Sequence, residues 1–134
     1  MELKKSYKGF VIWMIGFLVC CVGFVFLKID DAALITRIIM NVMTLSMALL
    51  TYMIYRNGYV YWYTGITYED AVKVSEERRK AYALKHWKLF GIFAVIYFVF
   101  SVVMHLLKMS LWIDILVCIM GLIVIAVRTI WYKL

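Results

Sequence analysis

The sequence contains no proline, only three cysteines and only eight acidic residues. Proline is the residue that most often breaks a helix interior, so its absence allows long uninterrupted helices. Cys20, Cys21 and Cys118 show no C-x-x-C or Cys/His spacing, which argues against a metal site and a disulfide framework. Phosphate-binding loops, nucleophile elbows and zinc-protease motifs are also missing. We therefore expect no cofactor, no metal and no enzymatic activity.

Apolar residues dominate the composition. They make up 66% of the 134 residues, whereas a soluble domain is about half apolar. A single soluble core of this length cannot bury that much apolar surface, so lipid must be the solvent for part of the chain. The net charge of +7 would suggest nucleic acid for a soluble protein, but membrane proteins collect Lys and Arg on their cytoplasmic side. We expect a lipid bilayer, and no nucleic acid, as a partner.

Four apolar runs are long enough to cross a bilayer, which takes about 20 residues. They cover residues 9–28, 32–55, 89–107 and 109–130. The first run keeps Trp13 in its middle and lacks a small-residue cleavage site, so we interpret it as a retained helix and not a signal peptide. A helix satisfies its own backbone in lipid. The sequence predicts an all-α integral membrane protein, a four-helix bundle with antiparallel neighbours forming one domain.

The distribution of basic residues predicts the orientation of this bundle. Of the fifteen Lys and Arg residues, all except Lys28, Arg37 and Lys108 fall in residues 1–9, in residues 56–88 or near the C-terminal end. Short loops rich in basic residues stay on the cytoplasmic side. We expect both termini to be cytoplasmic, in a bacterial cytoplasmic membrane.

The segment 56–88 is the largest piece outside the four runs. Its aromatic run, residues 59–63, is typical of side chains that anchor a helix at headgroup level. Ser75, followed by two glutamates, is typical of a helix N-cap. We therefore expect the third helix to begin near Glu76 and to protrude several turns into the cytoplasm, with His86 solvated or interfacial. Its basic residues are either a contact for a partner or for anionic lipid heads, or simply a topology signal. They are Arg78, Arg79, Lys80, Lys85 and Lys88.

Small and polar residues recur every three or four positions along each run. Such rows favour close helix packing in a left-handed bundle. The glycines expected to pack are Gly9, Gly16, Gly23, Gly91 and Gly121. The row of the second run contains Arg37, Asn41, Thr44 and Thr51. It is either a packing seam or the lining of a permeation path.

Arg37, His105 and Asp114 are the ionisable residues placed well inside apolar runs. Such residues are functional candidates with a partner to be found, and we name Asp114 as the partner of Arg37, with His105 at a similar depth. The alternatives are a structural ion pair, or side chains that reach the headgroups. A proton-coupled transporter usually places a carboxylate near the midplane, and none of the runs has one. A lipid-modifying enzyme would have to use these three residues.

These features predict a small non-enzymatic multi-pass bacterial membrane protein that acts by association in the bilayer. It would be an accessory subunit of a membrane complex, or an immunity or resistance protein. Its partner would be another membrane protein or further copies of the same chain. The alternative is a small oligomeric transporter or channel that uses the polar face of the second helix.

Overall fold

The computed structural model describes residues 3–28, 30–63 and 65–134. Four long helices span Lys8–Phe26 (α1), Ala32–Asn57 (α2), Glu76–Leu106 (α4) and Leu111–Ile130 (α5), and a short helix, α3, spans Tyr68–Val72. A 3₁₀ turn, Val60–Trp62, follows α2. All four long helices are apolar enough to cross a membrane. The prediction of an all-helical protein with four helices of spanning length is confirmed.

Local polar groups define where the helices begin and end. The Asp31 carboxylate caps α2 by accepting hydrogen bonds from the backbone N–H groups of Ala33 and Leu34, each at 3.1 Å. Gly58 ends α2 in the left-handed region, with φ of 73°, and donates to the Ile54 carbonyl. Ser75 caps α4, so that this helix begins at Glu76, as the sequence predicted.

Long helices that follow one another in the chain run antiparallel. Arg37, near the start of α2, contacts His105, near the end of α4, whereas Ile54, near the end of α2, shares a core cluster with Ala83, near the start of α4. The α1 helix lies along α2, where the Trp13 indole donates to the Ser46 carbonyl at 2.8 Å. The α5 helix packs on α4 and also contacts α2.

The chain segments between helices collect at two opposite ends. One end, here called the loop end, carries the N-terminal segment from residue 3, residues 56–63 and 65–75, and the C-terminal residues. Ser6 contacts Tyr61 and the ring of Tyr132 lies against His86 at this end. The other end, the turn end, carries Lys108–Ser110 together with the link from α1 to α2. Asp31 and Lys108 line one cavity there.

The first turns of α4 do not protrude freely, contrary to our expectation. Tyr82 and Ala83 are buried in a cluster with Ile54, Val60 and Tyr61, which belong to the end of α2 and the 3₁₀ turn. The aromatic run after α2 presents a large apolar surface, and burying that surface against α4 is more favourable than leaving both exposed. The first turns of α4, which carry its basic residues, therefore form one wall of a packed cluster at the loop end.

Candidate functional site

Three ionisable side chains from three helices meet at the turn end, and we call them the polar cluster: Arg37, His105 and Asp114. The Arg37 Nε donates to Asp114 Oδ2 at 2.8 Å. Its Nη1 lies 3.1 Å from His105 Nδ1, and its Nη2 donates to the Met109 carbonyl at 2.9 Å. Arginine is only a donor, so Nδ1 of His105 accepts. Arg37 is 4% exposed and Asp114 is 0% exposed.

The helix ends explain why these charges lie together. Arg37 lies in the second turn of α2, His105 in the last turn of α4 and Asp114 in the first turn of α5. A carboxylate is favoured near a helix N-terminus, where the backbone dipole is positive. Burial of either charge alone would be costly, whereas the ion pair with its additional hydrogen bonds compensates for much of that cost. The polar cluster therefore ties α2, α4 and α5 together near the boundary of their apolar runs.

The polar row of α2 faces the interface with α4. The Asn41 side-chain amide donates to the Ser101 hydroxyl at 3.0 Å and to the Arg37 carbonyl at 2.8 Å. Thr44 and Thr51 are buried and donate to carbonyls three residues earlier in α2. Asn41 Oδ1 and Asp114 Oδ1 are buried and accept no hydrogen bond within the described ranges. The geometry supports the interpretation of this row as a packing seam.

The predicted packing glycines divide into two groups. A Cβ at Gly121 would lie 2.3 Å from the Phe93 ring, and one at Gly9 would lie 3.0 Å from the Trp62 ring, so both allow close approach. Gly16 and Gly23 have no described atom within 4 Å of such a Cβ, and Gly91 meets only Trp87 of its own helix, at 4.0 Å. The predicted packing of these three glycines therefore has no partner among the described residues of one chain and stays a prediction. Their rows have the right spacing, but no neighbouring helix lies against them.

The basic residues of α4 do not form one free surface. Arg79 is buried and its guanidinium donates to the Ala71 and Val74 carbonyls at 3.0 and 2.7 Å. Its predicted role as a partner or lipid contact is wrong, because it satisfies carbonyls at the C-terminal end of α3. Lys80 pairs with Glu76 at 2.9 Å, and the Lys85 ammonium lies 5.5 Å from the centre of the Tyr132 ring. Arg78 and Lys88 are exposed.

A cluster of aromatic side chains at the loop end, here called the aromatic cluster, was not predicted from the sequence. The Tyr61 hydroxyl accepts from the Ser6 N–H at 2.8 Å and donates to the Ser6 carbonyl at 2.9 Å, and the Trp62 indole donates to the same carbonyl at 3.0 Å. Tyr68 donates to the Leu3 carbonyl. These bonds hold the N-terminal segment on the aromatic cluster. The density of aromatic residues at 59–63 is the signal available in the sequence, and its interpretation as headgroup anchoring stays a prediction.

His86 is buried in the same aromatic cluster, which corrects our expectation that it is solvated or interfacial. Its ring stacks on Tyr63 with centroids 4.2 Å apart, and its Nδ1 donates to the Tyr82 carbonyl at 3.1 Å. Burial also raises the pKa of the Tyr63 phenol above its ordinary value, so that this hydroxyl stays protonated through neutral pH. These contacts give His86 a structural role.

Neither a metal site nor similarity to a known protein indicates a function for the described residues. Among residues 3–28, 30–63 and 65–134, no group of three His, Cys, Asp or Glu side chains is arranged to hold a metal ion. No protein family, curated protein or solved structure matches this chain.

Proposed function

We propose that this chain is a non-enzymatic multi-pass protein of the bacterial cytoplasmic membrane that acts by associating with another membrane protein through α1. The observation that carries the proposal is the weak packing of α1. None of its residues is buried, although the other three long helices each bury several. A helix with so little contact inside its own chain is suited to contact with a second one.

The two unpartnered glycines of α1 provide a suitable surface for that contact. The side of α1 that carries Phe10, Trp13 and Phe17 is half-buried, and Trp13 donates to α2. Gly16 and Gly23, seven residues apart, lie about 100° around the helix from that side, since each residue turns the helix by about 100°. Small residues let helix backbones approach closely in a bilayer, where van der Waals packing and hydrogen bonds drive association. The face with Gly16 and Gly23 is where the partner helix packs in this proposal.

The arrangement of the ends supports the proposed orientation, with both termini in the cytoplasm. The N-terminal segment, residues 56–75 and the C-terminal residues share the loop end, and this is where most basic residues lie. A cytoplasmic loop end follows the positive-inside rule. Arg78 and Lys88 would then remain available at this surface to acidic groups of the partner or to anionic lipid heads.

The same geometry bears on the transport alternative. Arg37, Thr44 and Thr51 are buried in the helix interface. The two threonine hydroxyls and three of the five Arg37 N–H groups meet partners within the described residues. A water-filled path needs polar groups that remain available to the permeating molecule. These contacts favour a packing seam over a water-filled path, and transport stays a hypothesis. An accessory subunit and an immunity or resistance protein are both compatible with the proposed association.

Purification from native membranes tests the proposal. The tagged chain would be extracted in mild detergent, and co-purifying proteins would be identified and quantified by mass spectrometry. We expect a second membrane protein at constant stoichiometry in the wild type, and its loss in a Gly16→Leu/Gly23→Leu variant. The matched control is Val25→Phe, which adds bulk to an exposed position on another side of α1 and should retain the partner.

Three results would count against the proposal. One is recovery of the chain without a stoichiometric partner. A second is equal recovery of the partner by the glycine variant and the wild type. The third is a partner composed of further copies of this chain, which would favour the oligomeric transporter instead.

A further inference from the structure

A groove between α2 and α4 leads from the middle of the apolar runs to the polar cluster. Its volume is about 270 Å³. The walls are mainly apolar, with Ile38, Val42 and Leu45 on one side and Phe98, Val102 and Leu106 on the other. The lining toward the turn end is completed by Leu34, Arg37, Asn41, Ser101 and His105. None of the described residues that line the groove belongs to α1 or α5.

A second cavity, of about 330 Å³, lies at the turn end of this groove. Its charged lining residues are Asp31, Arg37 and Lys108, and His105 lies beside them. Arg37 and His105 line both cavities, so the two adjoin at the polar cluster. The chain therefore offers two adjoining cavities, an apolar groove on one side of Arg37 and His105 and a charged mouth on the other.

The dimensions of the groove fit an acyl chain. From Arg37 to Leu45 the groove follows α2 for eight residues, which is about 12 Å at 1.5 Å per residue. One leaflet of hydrocarbon is about 15 Å deep, half of the bilayer core. Several wall residues, among them Leu45, Val102 and Leu106, are exposed, so the groove is open along its side. A hydrocarbon chain can enter from the bilayer without passing through the protein.

The charges of the mouth indicate the kind of headgroup. Three of the five N–H groups of the Arg37 guanidinium meet partners within the described residues. The groups offered to a ligand are the other two N–H groups and the Lys108 ammonium. These groups suit a phosphate oxygen, since charge-assisted hydrogen bonds to phosphate are strong. The Asp31 carboxylate at the same mouth repels a second negative charge and attracts an ammonium group. A zwitterionic headgroup with both a phosphate and a primary amine matches this set.

We propose that the groove and mouth form a binding site for an aminophospholipid, with one acyl chain along α2 and α4 and its headgroup among Lys108, Arg37 and Asp31. The site is independent of the association through α1, because no described α1 residue lines it. Recovery of the chain without a partner would therefore leave this lipid-binding proposal untouched, and equal binding of the two lipids would leave the proposed association untouched.

Native mass spectrometry of the purified full-length chain tests the site. The detergent-solubilised protein would be titrated with dioleoyl phosphatidylethanolamine or with dioleoyl phosphatidylglycerol. We expect the ethanolamine lipid to bind at least roughly fivefold more tightly. Val102→Trp fills the groove and should weaken binding roughly tenfold. Val103→Trp is the matched control, because this exposed neighbour does not line the groove, and it should bind like the wild type.

A second variant tests the headgroup contact. Lys108 has a positive φ of 51°, and asparagine tolerates that conformation well. Lys108→Asn should therefore keep the turn intact while weakening binding of the ethanolamine lipid roughly fivefold. Equal affinity for both lipids in the wild type would overturn the proposal, since it indicates only non-selective surrounding lipid. Equal binding by Val102→Trp and Val103→Trp would also overturn it.

Discussion

Replacing Asp114 with valine would remove the carboxylate that neutralises Arg37 and leave a buried guanidinium. Arg37 is 4% exposed and its Nε lies 2.8 Å from the carboxylate. Removal of one partner of a buried ion pair typically costs about 3–5 kcal/mol. Arg37 would keep its contacts with His105 and the Met109 carbonyl, and it lies near a helix end from which its side chain can reach the headgroups. We expect the lower value, about 3 kcal/mol.

The double variant Arg37→Met/Asp114→Val is expected to be more stable than either single variant. Replacing a buried ion pair by apolar residues of similar volume is often nearly neutral, and interhelical polar contacts in bilayers are worth about 1 kcal/mol. We expect a cost of about 1 kcal/mol for the double variant. The second substitution should therefore restore about 2 kcal/mol relative to Asp114→Val alone.

Unfolding in mixed micelles of mild detergent and dodecyl sulfate measures these differences. The five tryptophans of the chain supply the fluorescence signal. Asp30→Val is the matched control, because it removes an exposed carboxylate at the same end, and its effect should stay within about 0.5 kcal/mol. If the double variant loses as much stability as the sum of the single variants, the ion pair does not couple α2 to α5 and the reasoning fails.

Two further stability predictions use the same assay. Gly121→Leu should lose about 1–3 kcal/mol, because a Cβ there would lie 2.3 Å from the Phe93 ring. The matched Gly23→Leu, with no described atom within 4 Å, should keep wild-type stability, and equal losses would contradict the close packing of α4 on α5. Arg79→Met should lose about 2 kcal/mol, because two carbonyls at the end of α3 lose a charged donor. Arg78→Met, at an exposed position, should change stability little, and a larger loss there would refute the assignment of Arg79 as the structural residue.

The helices and the polar cluster were accessible from sequence because the signals are local. An apolar run of spanning length defines a helix without knowledge of its neighbours. Arg37 and Asp114 lie near the first residues of their runs and His105 near the last, so antiparallel packing alone brings the three to one depth. The pair predicted from the sequence, Arg37 and Asp114, is the pair that the structure brings together at 2.8 Å.

The loop end was harder to predict because its contacts depend on how residues 56–75 fold over α4. Arg79 lies in a row of charged residues, which is usually a solvated face. Its partners are carbonyls of Ala71 and Val74, and they reach it because α3 ends just before α4 begins. The burial of His86 depends in the same way on Tyr63 and Tyr132. Neither arrangement follows from helical periodicity.

The glycines of α1 show a different limit of sequence reasoning. Their spacing indicates a face suited to close packing, but it does not reveal whether a neighbour is present. In this chain α1 packs mainly on α2, through its aromatic side, and that leaves Gly16 and Gly23 without a neighbour. The spacing predicts this face, and the described residues of the single chain leave it open for a partner.

Cysteine accessibility tests most directly whether the polar row of α2 is a sealed seam. Single cysteines at Thr44 and Thr51 would be introduced into a chain in which Cys20, Cys21 and Cys118 are replaced by alanine. Membranes would then be treated with a membrane-impermeant maleimide from either side. Arg78→Cys, at an exposed position, is the positive control.

We predict that the cysteines at positions 44 and 51 stay unmodified while the control reacts, because both threonines are buried between α2 and α4. Rapid modification of either position in the assembled protein would show water along the row. That result would contradict a bundle that acts only by association, and it would support the transporter alternative.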